Sequence, residues 1–208
     1  MDFNLISTIL TLHFVALITP GPDFALTVKN SLNYGKRCGI YTAIGFALGI
    51  ALHVSYSILG VAVLLNTFPK FFNLIKISGA LYIIWIGLQT LSSIKSSNSD
   101  FQFDKVADQK VPSPLIGLKQ GFFTNILNPK VTLFILGLFV SVIPAGTQST
   151  TLIISGLLMC LITFLWFAGI AYFFGWETIR RAYLKAQKGI NFVFGVFFLL
   201  AGVLLLVK

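Results

Sequence analysis

Two charged residues stand where an apolar chain has least reason to keep them. Asp23 follows "TPGP" at 19–22 and Lys130 follows "NP" at 128–129, each directly after a proline in an otherwise apolar run. At the centre of a bilayer such a charge costs about 2.5–3.5 kcal/mol. It persists only where it pairs, is neutralised or meets water. A carboxylate there can hold an ammonium group or carry a proton, and a lysine beside the N-terminus of a half-helix can hold a carboxylate. Together the two suit a zwitterion such as an amino acid, and their opposite signs also allow them to pair with one another. Each has a plainer reading as well. Asp23 can cap the half-helix that begins after Pro22, and Lys130 can snorkel to an interface. Thr19, Asn125 and Asn128 lie beside the breaks, where their polar groups can satisfy freed backbone groups or face a ligand.

The elements that must position these residues are membrane helices. The chain has 208 residues, 56% of them hydrophobic and 10% charged, where a soluble domain carries roughly 25% charge. That leaves room for about six spans of about 20 residues each and for no sizeable soluble domain. The first apolar run has no Lys or Arg ahead of it and no small-residue cleavage site behind it, so it reads as a retained helix and not as a leader. The spans fall at about 3–32, 39–65, 71–91, 115–143, 150–174 and 190–207. A polar stretch at 95–113, rich in Ser, Asp, Lys and Pro, divides a first group of three spans (1–94) from a second (114–208). The expected fold is therefore an all-α integral membrane protein of six transmembrane helices.

Proline breaks the first helix of each group. Pro20 and Pro22 lack backbone donors and clash with the preceding turn, Gly21 between them lowers helix propensity, and Pro129 repeats the effect in the fourth span. One such break is an ordinary kink. Breaks in corresponding helices of two halves point to a transporter site, because carbonyls freed in hydrocarbon must find helices, water or a ligand. Three spans per half make the second half enter the membrane in the opposite sense, so the fold is expected as two inverted three-helix repeats. The last helix of each half carries a similar small-residue pattern, "SGALYIIWIGL" and "FGVFFLLAGVL".

Basic residues set the orientation. Lys29, Lys36 and Arg37 follow the first span, Lys95, Lys105, Lys110 and Lys119 fill and flank the central stretch, and Arg180, Arg181, Lys185 and Lys188 follow the fifth. The other side has only Lys70, Lys76 and Lys208, and its loop "PAGTQST" carries none. An excess of Lys and Arg marks the cytoplasmic side, which puts both termini outside. The net charge of +9 then meets anionic lipid and not nucleic acid.

Other residues have smaller claims. Gly45 and Gly49 form a GxxxG pair in the second span, suited to close helix packing or to closing a gate against the broken first span. His53 on the same helix is read as packed and hydrogen-bonded ahead of a proton relay, and His13 has still less to recommend it. Tyr82, Trp85 and Trp166 can line a cavity or belong to the packing and the interface belt. Cys38 and Cys160 read as idle thiols. Neither a P-loop, GxSxG, HExxH nor a carboxylate pair is present, so no enzyme and no cofactor are expected. Asp100, Asp104 and Asp108 read as a solvated loop.

With these residues in view the chain resembles the LysE/RhtB family of amino-acid exporters. The resemblance rests on "TPGPD", "GFALGIALH", "IKISGALYIIWIGLQTL" and "GFFTNILNPKVTLFILGLF" and is strongest through the fourth span. It implies a bacterial inner-membrane exporter of amino acids or close derivatives, driven by the proton gradient. Where that family often has asparagine after the second proline, this chain has Asp23. The partners expected are an amino acid, protons and lipid, with self-association left open. The wider superfamily includes exporters of metal ions, so a metal-cation exporter on the same fold is the alternative. It would call for Cys, His and Asp clustered in mid-membrane, and no metal site is expected from Asp23, His53, His13 and Cys160 as they are scattered here.

Overall fold

A computed structural model describes residues 2–207 except 20, 68, 97–112, 145 and 175. Side chains at 61–67, 69–76, 93, 95, 96, 177, 180 and 184 also lie outside the description. Pro20, Asp100, Asp104, Asp108 and nearly all of the central stretch 95–113 fall outside the described residues.

Among the described residues the chain is helical throughout: α1 (Phe3–Ile18), α2 (Pro22–Tyr34), α3 (Lys36–Thr67), α4 (Pro69–Ser96), α5 (Pro114–Ile126), α6 (Pro129–Val142), α7 (Ser149–Phe173) and α8 (Glu177–Val207). Prolines 22, 114 and 129 each open a helix at its first position, where the missing N–H would have no partner anyway and the fixed φ suits the helix. Thus the prolines that break the two spans also start the second half of each. Gly35 and Gly146 take left-handed turns, with φ of 85° and 80°, a conformation that favours glycine.

Three helices are long and apolar enough to cross a membrane alone: Lys36–Gly60, Ser149–Phe173 and Lys185–Val207. The pairs α1–α2 and α5–α6 each reach that standard as one bent span, with bends of 58° and 57°. That gives up to five spans by length and composition, and α4 adds a shorter apolar stretch, Ile77–Ser92. The last helix begins well before the expected residue 190, so the basic residues after the fifth span lie on helix and not on a loop.

The principal packing pairs are α3 with α5, α4 with α8, α3 with α7, α4 with α6 and α2 with α3. Glycine sets the closest of these. A β-carbon on Gly45 would fall 2.2 Å from the Leu118 carbonyl oxygen, and one on Gly121 would fall 2.2 Å from that of Thr42. Backbones therefore touch along α3–α5, as small residues at four-residue spacing permit. The glycine pair of α3 thus serves close packing, the first of its two readings, and does not close on the broken first span. It faces the other broken span, at α5, and only Gly39 lies against α2, beside Ser31. Gly79 meets Gly137 across α4–α6, and Gly87 meets the Gly195 carbonyl across α4–α8.

Buried apolar side chains form two clusters. One gathers α1, α3, α4, α6, α7 and α8 around Ile9, Ile135, Leu138, Phe139 and Met159. The other joins α2, α3 and α7 through Phe24, Val28, Phe46 and Phe167. Outward, α3 shows Leu48, Leu52 and Leu59, and α7 shows Ile153, Leu157, Leu161 and Leu165. Helices that are apolar inside and outside are what a lipid solvent requires.

Candidate functional site

The two breaks meet. Gly21, Pro22 and Asp23 at the start of α2, with Asn128 and Lys130 at the start of α6, line one cavity of about 50 Å³. Thr19 and His13 of α1 and Asn125 of α5 complete its polar lining, while Ile50, Phe134, Ile135 and Phe167 are among its apolar walls.

Asp23 is the hub, and it is buried. Asn125 Nδ2 donates to its Oδ2 at 2.7 Å, and Asn128 Nδ2 donates to its Oδ1 at 3.3 Å. A carboxylate is acceptor-only, so two amide donors from the opposite break are complementary to its charged form. Asp23 also sits in the first turn of α2, where the helix dipole favours a negative charge. It is not the cap of that helix. Gly21 is, in extended backbone and with no side-chain acceptor, which leaves the carboxylate free to reach across to α5 and α6.

Asn128 does both of the things its position allowed. Its Oδ1 accepts from Lys130 N–H at 3.0 Å and so caps α6, while its amide nitrogen holds Asp23. Lys130 turns inward and does not snorkel. Its Nζ lies 3.7 Å from where a β-carbon of Gly21 would sit, beside the opposite break. The lysine and the aspartate share the cavity and interact by charge, but the groups bonded to the carboxylate are the two asparagines. Thr19 is buried, donates to the Val15 carbonyl at 3.0 Å and borders the cavity.

Proline at 129 removes the N–H that would have bonded the carbonyl four residues earlier, which is that of Asn125. That oxygen instead accepts from Asn128 N–H at 3.1 Å and from Nε2 of His53 on α3 at 3.3 Å. A carbonyl only accepts, so in the neutral ring Nε2 carries the hydrogen and Nδ1 accepts from the Tyr56 hydroxyl. Tyr56 in turn contacts the Thr132 side chain, and Thr132 Oγ1 donates to the Asn128 carbonyl. The second break is thus braced from α3 on both sides. His53 is the packed, hydrogen-bonded residue of the plainer reading, placed behind Asn125 and outside the cavity lining.

Gly49 has a specific task here. A β-carbon on it would fall 2.4 Å from Asn125 Oδ1. The bare glycine leaves room for the amide that grips Asp23. Gly45 lies a turn away against the α5 backbone and serves packing.

The aromatic candidates lie elsewhere. Tyr82 stacks on Trp85 at 5.2 Å and donates to the Pro129 carbonyl at 3.4 Å, and Trp85 is exposed. Trp166 meets Phe14 edge-on, while its neighbour Phe167 reaches the cavity. Conversely, His13 is a lining residue that sequence reasoning passed over. It is buried and bonds Thr163 Oγ1 at 2.9 Å. The available signal was chemical: a histidine in an unbroken apolar helix must find a partner. Tyr56, Thr132 and Thr163 carried no such mark.

The family model described as LysE type translocator matches residues 14–208. This chain belongs to that family. The translocator is 31% identical over 189 residues to the "Uncharacterized membrane protein YrhP" of Bacillus subtilis (strain 168), covering 86% of this chain and 88% of the relative. It is 29% identical over 177 residues to the "Leucine efflux protein" of Enterobacter sp. (strain 638), covering 84% and 80%. It is 25% identical over 208 residues to the "Threonine efflux protein" of Salmonella typhi, covering 97% of each. No solved structure matches the translocator. Membership makes it a transporter and not an enzyme, in keeping with its apolar helices.

Proposed function

We propose that this translocator is a secondary transporter that exports amino acids or close derivatives from the cytoplasm, by alternating access coupled to proton antiport. The observation that carries the reading is the meeting of an acid and a base at one cavity between two broken helices. Asp23 would take the substrate ammonium or a proton. Lys130, near the N-termini of α2 and α6, would take the carboxylate, with Asn125, Asn128 and Thr19 completing the shell. Relatives named for threonine and leucine efflux support the substrate class.

The cavity has the size of a few waters, well below the roughly 300 Å³ at which ligand pockets begin. A substrate-bound form therefore needs the helices to part, as alternating access would have them do. In this reading α4 provides a sixth span, and 1–94 and 114–208 are inverted repeats joined by the cytoplasmic stretch 95–113. Matching bends at the two breaks support that arrangement, as does the packing of α3 on α7 and of α4 on α8, pairs that the repeat would make equivalent. The distribution of Lys and Arg supports a bacterial inner membrane with both termini outside. The metal-cation alternative asks for clustered ligands. Among the described residues no group of three or more His, Cys, Asp or Glu is placed to hold an ion, so nothing favours it.

Reconstitution tests the proposal. Proteoliposomes loaded with a mixture of amino acids should release one class of them in response to a pH gradient, and Asp23→Ala should cut the release by about 10- to 100-fold. Undiminished release by that variant would remove Asp23 from its role, and failure to move any amino acid would overturn the export reading itself.

A further inference from the structure

The cavity is flanked on its two sides by materials of opposite kind. Residues 2–4, 144, 146–148 and 151 border one shallow pocket, so the start of α1 and the end of α6 share a side of the molecule. Between that side and the cavity α1 and α6 bury Ile9, Leu12, Ile135, Leu138 and Phe139, an apolar plug. The other side is reached along α2 and α5, past the basic residues Lys29, Lys36 and Arg37. Here α2 turns Asp23, Thr27 and Asn30 inward, three polar residues at i, i+4 and i+7, all buried. Their spacing puts them on one face of the helix.

Asn30 closes this polar seam. It lies about 10 Å beyond Asp23 along the helix, at about 1.5 Å per residue. Its Nδ2 donates both to Thr42 Oγ1 of α3 and to Gln120 Oε1 of α5, each at 2.9 Å. Its own Oδ1 is buried without a partner. Asn30 and Thr42 are wholly buried, whereas Gln120 is exposed, so the seam is one side chain deep from the surface. A buried, unpartnered amide oxygen is a costly thing to keep in a membrane protein. It becomes satisfied as soon as water or a polar solute enters.

We infer that the Asn30–Thr42–Gln120 bridge is the gate through which substrate reaches Asp23 from the basic side, and that this gate opens in the substrate-free protein while the α1–α6 plug stays shut. The inference rests on the export reading for what passes through, not for the gate itself. The two seals differ in what opening exposes. Parting α1 from α6 exposes apolar side chains to water, which is unfavourable in proportion to area. Parting α2 from α5 exposes hydroxyls and amides whose hydrogen bonds water replaces, and it relieves Asn30 Oδ1. Thr27 and Asn30 then line the route, suited to a solute that is polar at one end.

A cross-link tests this. With Cys38 and Cys160 replaced by alanine, Asn30→Cys together with Gln120→Cys can be joined by a disulfide or a short bis-thiosulfonate linker. Joining should cut export at least 10-fold, and a reductant should restore it. Unchanged export by the fully joined protein would overturn the gate. If the reduced double variant is inactive, the single variant Asn30→Cys decides, with sided labelling by an impermeant maleimide in oriented vesicles. Reaction from the Lys29 and Lys36 side, without substrate, is expected. Protection from that side, or reaction only from the side of residues 144–151, would overturn the inference. Labelling needs no amino acid, so it reports on the gate even if the export reading fails.

Discussion

The α1–α2 and α5–α6 bends differ by one degree, 58° against 57°, and yet they are built from different chemistry. At the first, the cap is a glycine with no side chain, an acid stands in the first turn of α2, and Thr19 turns back to a carbonyl of its own helix. At the second, the cap is Asn128, a lysine stands in the first turn of α6, and the backbone around it is bonded by His53 of α3, itself held by Tyr56, and by Tyr82 of α4. The α5 half is also bound to α3 by glycines at backbone contact. One break is a fixed receiver and the other presents its charge to it. A repeat can thus keep its geometry while its two copies divide the work, one holding and one held.

That division can be broken at several points. Asp23→Ala removes the group that is held, and export should fall by about 10- to 100-fold, matching about 1.5–3 kcal/mol for hydrogen bonds to a charged group. Asp23→Asn keeps the shape and should leave a folded protein whose export responds differently to pH, as flux measured across a range of pH would show. Gly49→Ala attacks the receiver. Its methyl would displace the Asn125 amide, and overpacking of this kind costs about 1–3 kcal/mol. A lowered thermal midpoint in detergent, beside an unchanged or raised one for Gly60→Ala, where nothing lies within 4 Å, would separate fit from helix propensity, which favours alanine at both positions. Equal losses in both would count against it.

His53→Leu should cost about 1 kcal/mol, the net worth of one hydrogen bond. Amide exchange should rise over 122–132 and stay unchanged over 17–25, with His53→Gln restoring part of the protection through its own amide donor. A rise at both breaks would mean that the brace is not local. The smallest effect is expected from Gly21→Ser. The glycine is extended, with φ near −166°, so any residue fits, and a hydroxyl cap in place of glycine adds only a few tenths of a kcal/mol.

Much of this was legible because proline and charge are loud in an apolar chain. Pro22 and Pro129 marked both breaks, and Asp23 and Lys130 marked the cavity, since neither has a cheap place in hydrocarbon. What stayed hidden was direction. A helix apolar on every face carries no period to say which side meets which neighbour. The sequence therefore shows that Gly45 and Gly49 pack closely but not that they do so on α5, leaves Tyr82 and Trp85 between a cavity and the packing, and gives little weight to His13. The cap was misjudged for a related reason. Asp23 is a good capping residue by type, but Pro22 at the first helical position moves the cap back to Gly21. Asn128 was left between two roles because an amide has two ends, and the fold uses both.

The convergence of the α2 and α6 N-termini has one more consequence. Each helix start is worth about half a positive charge, and with Lys130 these outweigh the single negative charge of Asp23. A bare cation entering the closed cavity meets net repulsion, the device by which half-helix ends exclude cations in some pores. A zwitterion adds no net charge and is spared that barrier. The translocator is thereby insulated against cation leak by its backbone as well as by its side chains.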